Sequence, residues 1–168
     1  MASSPRISKA DWEGRLESLL PLYGHRNWIV VADSAYPAQS RPGIETVVSG
    51  AGHLEVATRV LDQINASRHV RAGVYLDQEL AFVAESDAPG VTRFRGHLAT
   101  LLKGAATVPM LHEQIIARLD QVSQTFRVFI IKTDLTIPYS SIFFELGCAY
   151  WPPRAETTLR QTMSAAAK

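Results

Sequence analysis

The chain has 168 residues, 46% hydrophobic and 20% charged, with a formal net charge of +1. That length favours one domain, and that balance provides a real core and excludes a disordered chain. No block of like charge exists to follow a phosphate backbone, so nucleic acid is not an expected partner.

The single cysteine, Cys148, cannot form an intrachain disulfide. It stands in an apolar segment, where a buried thiol packing as a small hydrophobe is expected. A reducing cytoplasm is the corresponding compartment. No apolar run has the length of a bilayer span, so no membrane partner is expected. Met1 to Trp12 carries no hydrophobic segment of the signal-peptide kind.

Ser8 to Leu22 reads as an opening helix, with Ser8 as a plausible cap and an apolar stripe through Trp12, Leu16, Leu19, Leu20 and Leu22. Pro21 distorts or ends it, and Gly24 lets the chain turn. Trp28 to Ala32 is a continuous apolar run of strand length, the pattern of a strand covered on both faces. Pro37 and Pro42 mark Ser34 to Gly43 as loop, and Ile44 to Val48 reads as a short strand. After Gly50-Ala51-Gly52, residues His53 to Ile64 have helical periodicity through Leu54, Ala57, Val60, Leu61 and Ile64. Arg71 to Val83 alternates in part and is read as strand, and Ser86 to Gly90 as a turn. Thr92 to Leu102 reads as helix stopped by Gly104. A second helix, His112 to Val122, carries Ile115, Ile116, Leu119 and Val122. Phe126 to Ile131 is another apolar strand, a polar loop follows through Pro138, and Ile142 to Leu146 is the last strand.

Beyond Pro152-Pro153 the composition changes, and a terminal helix or frayed extension outside the core is expected. The division is a single domain over 1–151 and a C-terminal extension over 152–168. Alternating helices and strands place the chain in the α/β class with a largely parallel or mixed sheet.

Gly50-x-Gly52 lacks the third glycine of a dinucleotide fingerprint and reads as a plain turn; no P-loop is present. None of the five histidines pairs with another at metal-ligand spacing. His69, between Arg68 and Arg71, is expected to be solvated, and His53 and His97 to be surface or capping residues. Ser34 and Ser40 lie near His25 and Asp33, but no Gly-x-Ser-x-Gly elbow exposes a nucleophilic serine. His25 and Asp33 bracket the first strand, where a rigid scaffold presents side chains to loop-lined cavities. A histidine before a strand is nevertheless more often structural than catalytic. Tyr139, in Pro138-Tyr139-Ser140-Ser141, suits either a cavity or packing against a sheet edge.

At these residues the chain resembles the D-ribose pyranase and L-fucose mutarotase (RbsD/FucU-like) family. Gly24-His25, the strand Ile29-Val30-Val31-Ala32, Asp33 and Pro37 stand in the order of the family's first signature. Tyr139-Ser140-Ser141, followed by Ile142-Phe143-Phe144-Glu145-Leu146-Gly147, occupies the place of its late Tyr-x-Asn. His112-Glu113-Gln114 is similar to the His-Glu-Gln of ribose-type members. The resemblance covers roughly residues 10 to 150. Two departures stand out. Asn27 replaces an aspartate and cannot carry charge, and Ser141 replaces an asparagine with one shorter hydroxyl.

The resemblance implies an RbsD-like three-layer α/β fold, with a central mixed, largely parallel sheet flanked by helices. It implies a cofactor-free isomerase, a monosaccharide mutarotase or pyranase that interconverts anomers or pyranose and furanose forms of a fucose- or ribose-like aldose. Ring opening needs one group to protonate the ring oxygen and another to deprotonate the anomeric hydroxyl, which an imidazole near neutral pKa can do. In this reading His25 is the catalytic acid–base, Asp33 holds sugar hydroxyls, and His112, Tyr139 and Ser141 complete the substrate-binding set. No metal is implied. The family further implies a cytoplasmic, ring-shaped homo-oligomer, commonly a decamer, with sites at subunit boundaries. The alternatives are a non-catalytic monosaccharide-binding or regulatory protein on the same fold, favoured by Asn27 and Ser141, and an assembly protein with a vestigial pocket.

Overall fold

The computed structural model describes residues 11–167. The opening helix α1 spans Asp11–Leu19 and buries Trp12, Leu16 and Leu19. It yields at Leu20–Leu22 to a 3-10 turn that contains Pro21, whose ring cannot continue an α-helix. Ser8, the expected cap, lies outside the described residues.

Strand β1 (Trp28–Ala32) is buried at every position, as an uninterrupted apolar run between two helical layers must be. The chain continues through β2 (Ile44–Val48), α2 (His53–Ala66), β3 (Val70–Asp77), a 3-10 turn at Gln78–Phe82, and α3 (Val91–Leu101). After β4 (Thr107–Met110) and α4 (His112–Val122) come β5 (Val128–Lys132), β6 (Ile142–Cys148) and α5 (Pro153–Ala166).

The six strands form one sheet in the order β2-β5-β1-β6-β3-β4. β1 and β2 pair parallel with β5, and β3 pairs parallel with β4. β6 runs antiparallel between β1 and β3, so five strands point one way and β6 points the other. The fold is the expected α/β layering around a mixed, largely parallel sheet. One face packs Ile29, Val31, Phe129, Ile131 and Phe144 against the apolar sides of α1, α2 and α3. The other packs Trp28, Val30, Ile130 and Phe143 against Ile115 and Leu119 of α4.

Several expectations need correction. Arg71 to Val83 is not one strand: β3 ends at Asp77 and the chain turns into 3-10 geometry. β4 has no counterpart in the sequence reading. It is a four-residue edge strand, exposed along much of its length and containing Pro109, so neither length nor apolar alternation marks it. Cys148 is half-buried rather than core. His69 is not solvated, because its Nε2 lies 3.0 Å from both the Leu20 and Tyr23 carbonyls. The terminal segment needs no correction: of the helix or frayed extension expected outside the core it is the helix, α5, with no buried residue.

Candidate functional site

The parallel strands all end on one side of the sheet, where side chains from different loops converge. Asp33 follows β1, Asp77 closes β3, His112 follows β4, Thr133 follows β5, and Tyr139 to Ser141 lead into β6. Asp33, Asp77, Thr133, Ser140 and Ser141 are all buried. Such polar groups need partners, which Asp33 and Ser141 find in each other and Asp77, Thr133 and Ser140 find in two histidines and in backbone carbonyls.

Asp33 is locked by Ser141. The Ser141 hydroxyl donates to Asp33 Oδ1 at 2.7 Å, and the Asp33 backbone N–H donates to Ser141 Oγ at 3.2 Å. The other carboxylate oxygen accepts the Ala35 N–H at 3.2 Å. Ser141 is itself 0% exposed, so it supports Asp33 from behind.

His112 opens α4 and is held by two acidic residues, Asp77 at the end of β3 and Glu79 in the 3-10 turn that follows. Its Nδ1–H donates to Asp77 Oδ1 at 3.0 Å. Its backbone N–H, unpaired within a helix at this position, donates to both Glu79 oxygens at 3.1 Å. The Tyr36 and Tyr139 rings meet the imidazole edge-on, at centroid distances of 6.3 and 5.4 Å. Burial pushes the Asp77 carboxyl up to about 6 against the opposing pull of His112, and burial likewise drives the Tyr36 phenol above its usual range.

Tyr139 adopts a left-handed backbone, with φ of 57°. That conformation is unfavourable for a side-chain-bearing residue and is maintained only by its surroundings. Here the surroundings are a strut. His53 Nε2–H donates to the Ser140 carbonyl at 2.8 Å, and the Thr133 hydroxyl lies 2.7 Å from His53 Nδ1. Ser140 Oγ closes the turn on the Ile137 carbonyl at 2.6 Å. His53, expected to be a surface or capping residue, is therefore a buried tie between α2 and the Tyr139 loop, and burial pushes its imidazole down to about 4.

Asp33, Tyr36, Pro37, His112, Ile137 and Tyr139, among others, line a cavity of about 290 Å³. Of the expected site residues, Asp33, His112 and Tyr139 meet there. Ser141 stands behind Asp33 and does not line the cavity. His25 lies elsewhere. It is exposed before β1, at the opposite end of that strand from Asp33, and borders a second hollow of about 390 Å³ with Arg26, Arg71, Tyr75, Val108 and Glu145. At about 3.3 Å per strand residue, the two ends are on the order of 20 Å apart. Within one chain Asp33 does not orient the His25 imidazole.

The intervening turn is fixed by Asn27, whose Oδ1 accepts the Gly24 N–H at 2.8 Å and whose Nδ2 donates to the Arg127 carbonyl at 3.2 Å. Its amide is thus engaged with backbone. Asp77, Glu79, His53 and Thr133 were missed from sequence. The available signal for Asp77 was an acidic residue ending a partly alternating strand.

The profile of the RbsD / FucU transport protein family matches residues 13–149. The chain belongs to this family. RbsD of Bacillus subtilis, solved in complex with D-ribose, is 16% identical, with a TM-score of 0.55 over 88% of this chain and 98% of its own. The fucose mutarotase of Streptococcus pneumoniae, in complex with L-fucose, is 17% identical, with a TM-score of 0.54 over 85% and 98%. At these identities the likeness carries the fold. No curated protein is similar enough to match. Helix α5 lies beyond the family match. Among the described residues no helix is long and apolar enough to cross a membrane, and no cluster of three metal-ligating side chains occurs.

Proposed function

We propose that the protein is a monosaccharide isomerase, a mutarotase or pyranase acting on a ribose- or fucose-like aldose by acid–base chemistry alone. The observation that carries this reading is the convergence of Asp33, His112 and Tyr139 on one small cavity at the carboxyl ends of the parallel strands. Its volume of about 290 Å³ is at the small end of the range for ligand pockets, suited to a monosaccharide rather than a nucleotide. The carboxylate accepts sugar hydroxyls, the phenol donates or accepts, and the tyrosine rings supply apolar faces.

His25 enters this reading through assembly. Its exposed position at the far end of β1 supports a site shared between copies, in which His25 of the partner subunit approaches the cavity. A ring-shaped homo-oligomer provides such a contact, and a decamer is the form we propose. His25 then exchanges a proton with the ring oxygen while the cavity holds the sugar. The domain is taken as 1–151, with 152–168 as an extension, and the site as working in the cytoplasm.

One observation favours a second reading. Asn27 stands where the family pattern has a carboxylate, and its amide is engaged with backbone. A protein without that acid near His25 fits a non-catalytic monosaccharide-binding role. Saturation-transfer NMR across a panel of aldoses separates the two. Faster anomer exchange for one sugar, lost in His25→Ala, is the enzyme's result; binding without faster exchange is the binder's.

A further inference from the structure

Asp77 lies outside the site residues assigned above and does not line the cavity. Its side chain is 0% exposed, one oxygen accepts the His112 Nδ1–H at 3.0 Å, and the other has no partner among the described residues. A carboxylate buried with half its hydrogen-bonding capacity unused is costly, and a purely structural role would be filled better by a neutral residue. Two residues on, Glu79 grips the backbone of the same histidine through both oxygens. One short segment therefore fixes His112 at its ring and at its main chain.

The ionised carboxylate can only accept, so Nδ1 must carry the proton and Nε2 is left with its lone pair. Nε2 has no hydrogen-bond partner among the described residues; the side chain is 21% exposed, and His112 lines the cavity. The Tyr36 and Tyr139 rings both pack edge-on with the imidazole, which restricts its rotation.

We propose that Asp77 is a positioning residue that locks His112 into the Nδ1–H tautomer, so that Nε2 faces the cavity as the acceptor of the anomeric proton. This rests on the reading of the cavity as an aldose isomerase site. In the forward step the anomeric O–H proton moves to His112 Nε2 and its electron pair forms the C1 carbonyl. The ring C1–O bond breaks, and the ring oxygen takes a proton from the imidazolium of His25 of the partner subunit. Closure on either face of the aldehyde runs the same transfers backwards and restores the neutral His112 imidazole and the imidazolium of His25 of the partner subunit. While His112 holds the extra proton it is a cation beside the Asp77 anion, which favours the charged intermediate.

The test is nitrogen-15 NMR of the histidine rings of the intact protein at neutral pH, with the His112 signals assigned by their loss in His112→Gln. Wild type is expected to show His112 protonated at Nδ1 and bare at Nε2, and Asp77→Asn to shift it toward the Nε2–H form. In the same variant the rate of anomer exchange at saturating sugar falls roughly 10²- to 10⁴-fold, while sugar affinity changes by less than about threefold. Protonation at Nε2 in the wild type overturns the proposal without recourse to any variant. So does an Asp77→Asn protein that keeps its exchange rate. If no sugar is turned over but the tautomer behaves as described, the isomerase reading fails and the positioning of His112 by Asp77 stands.

Discussion

Ser141 and Asp33, 108 residues apart in sequence, are joined by two opposed hydrogen bonds, hydroxyl to carboxylate and backbone N–H to hydroxyl. The pair couples the end of β1 to the start of β6 and sets the direction of a carboxylate that lines the cavity. The sequence reading placed Ser141 among sugar-contacting groups, whereas its burial directs its hydroxyl to Asp33.

Replacing Ser141 should therefore damage the fold as well as the site. Ser141→Ala leaves an Asp33 oxygen and N–H unpaired in a buried setting, an expected loss of about 1–3 kcal/mol. Ser141→Asn, which restores the family's residue type, forces a larger side chain into a fully buried position and should cost about 1–3 kcal/mol by overpacking. Denaturant unfolding measures both. An asparagine accepted without loss would show that the Asp33 region can open to admit it.

The His53 strut predicts an acid-sensitive fold. The folded-state pKa is about 4 against an unfolded value near 6.5, so the unfolded chain binds more protons between those limits. The stabilisation from neutral His53 is complete above about pH 6.5 and is lost as pH falls through 4. The stability difference between wild type and His53→Gln should thus shrink by up to roughly 3 kcal/mol from pH 7 to pH 4. Denaturant midpoints across that range check it, and a difference independent of pH would contradict a buried neutral imidazole.

Asp77 predicts the opposite slope in nearly the same window. Burial, with smaller contributions from Glu79 and Asp33, raises its folded pKa to about 6 despite His112, while the unfolded value is near 3.8. The native state binds more protons there, so this carboxyl lowers stability as pH rises from about 4 to 6. Asp77→Asn should gain on wild type over that rise. The same unfolding series run on this variant would show a flat difference if the carboxyl were solvated.

Tyr139 separates shape from chemistry. Tyr139→Phe keeps the ring against His112 and removes only the phenol, so the fold should be unchanged while sugar affinity falls about tenfold, one hydrogen bond's worth. Titration calorimetry with the sugar that binds wild type measures it.

What the sequence disclosed follows from how each feature is encoded. β1 was legible because a strand buried on both faces is an unbroken apolar run, and α4 because Ile115 and Leu119 recur at helical spacing. β4 was invisible because an exposed four-residue edge strand has no periodic burial. Among site residues, Asp33, His112 and Tyr139 stood out by type and by their place beside elements. His53 did not, since its partners Thr133 and Ser140 are about 80 residues away. Asp77 was hidden inside a segment read as one long strand, and only the break after it reveals that it faces His112. The separation of His25 from Asp33 follows from strand direction, which local sequence does encode: residues before and after one strand lie at opposite ends of the sheet.

That separation supplies the most direct test of the account. Anomer exchange should be measured for wild type, for His25→Ala and Asp33→Asn separately, and for an equimolar mixture of the two variants refolded together. If the site combines His25 of the partner subunit with the Asp33 cavity, each variant alone is nearly inactive. In the mixture about a quarter of sites regain both groups and activity returns to about that share. Exchange in the mixture no faster than in either variant, or no exchange by the wild type with any aldose, would contradict it.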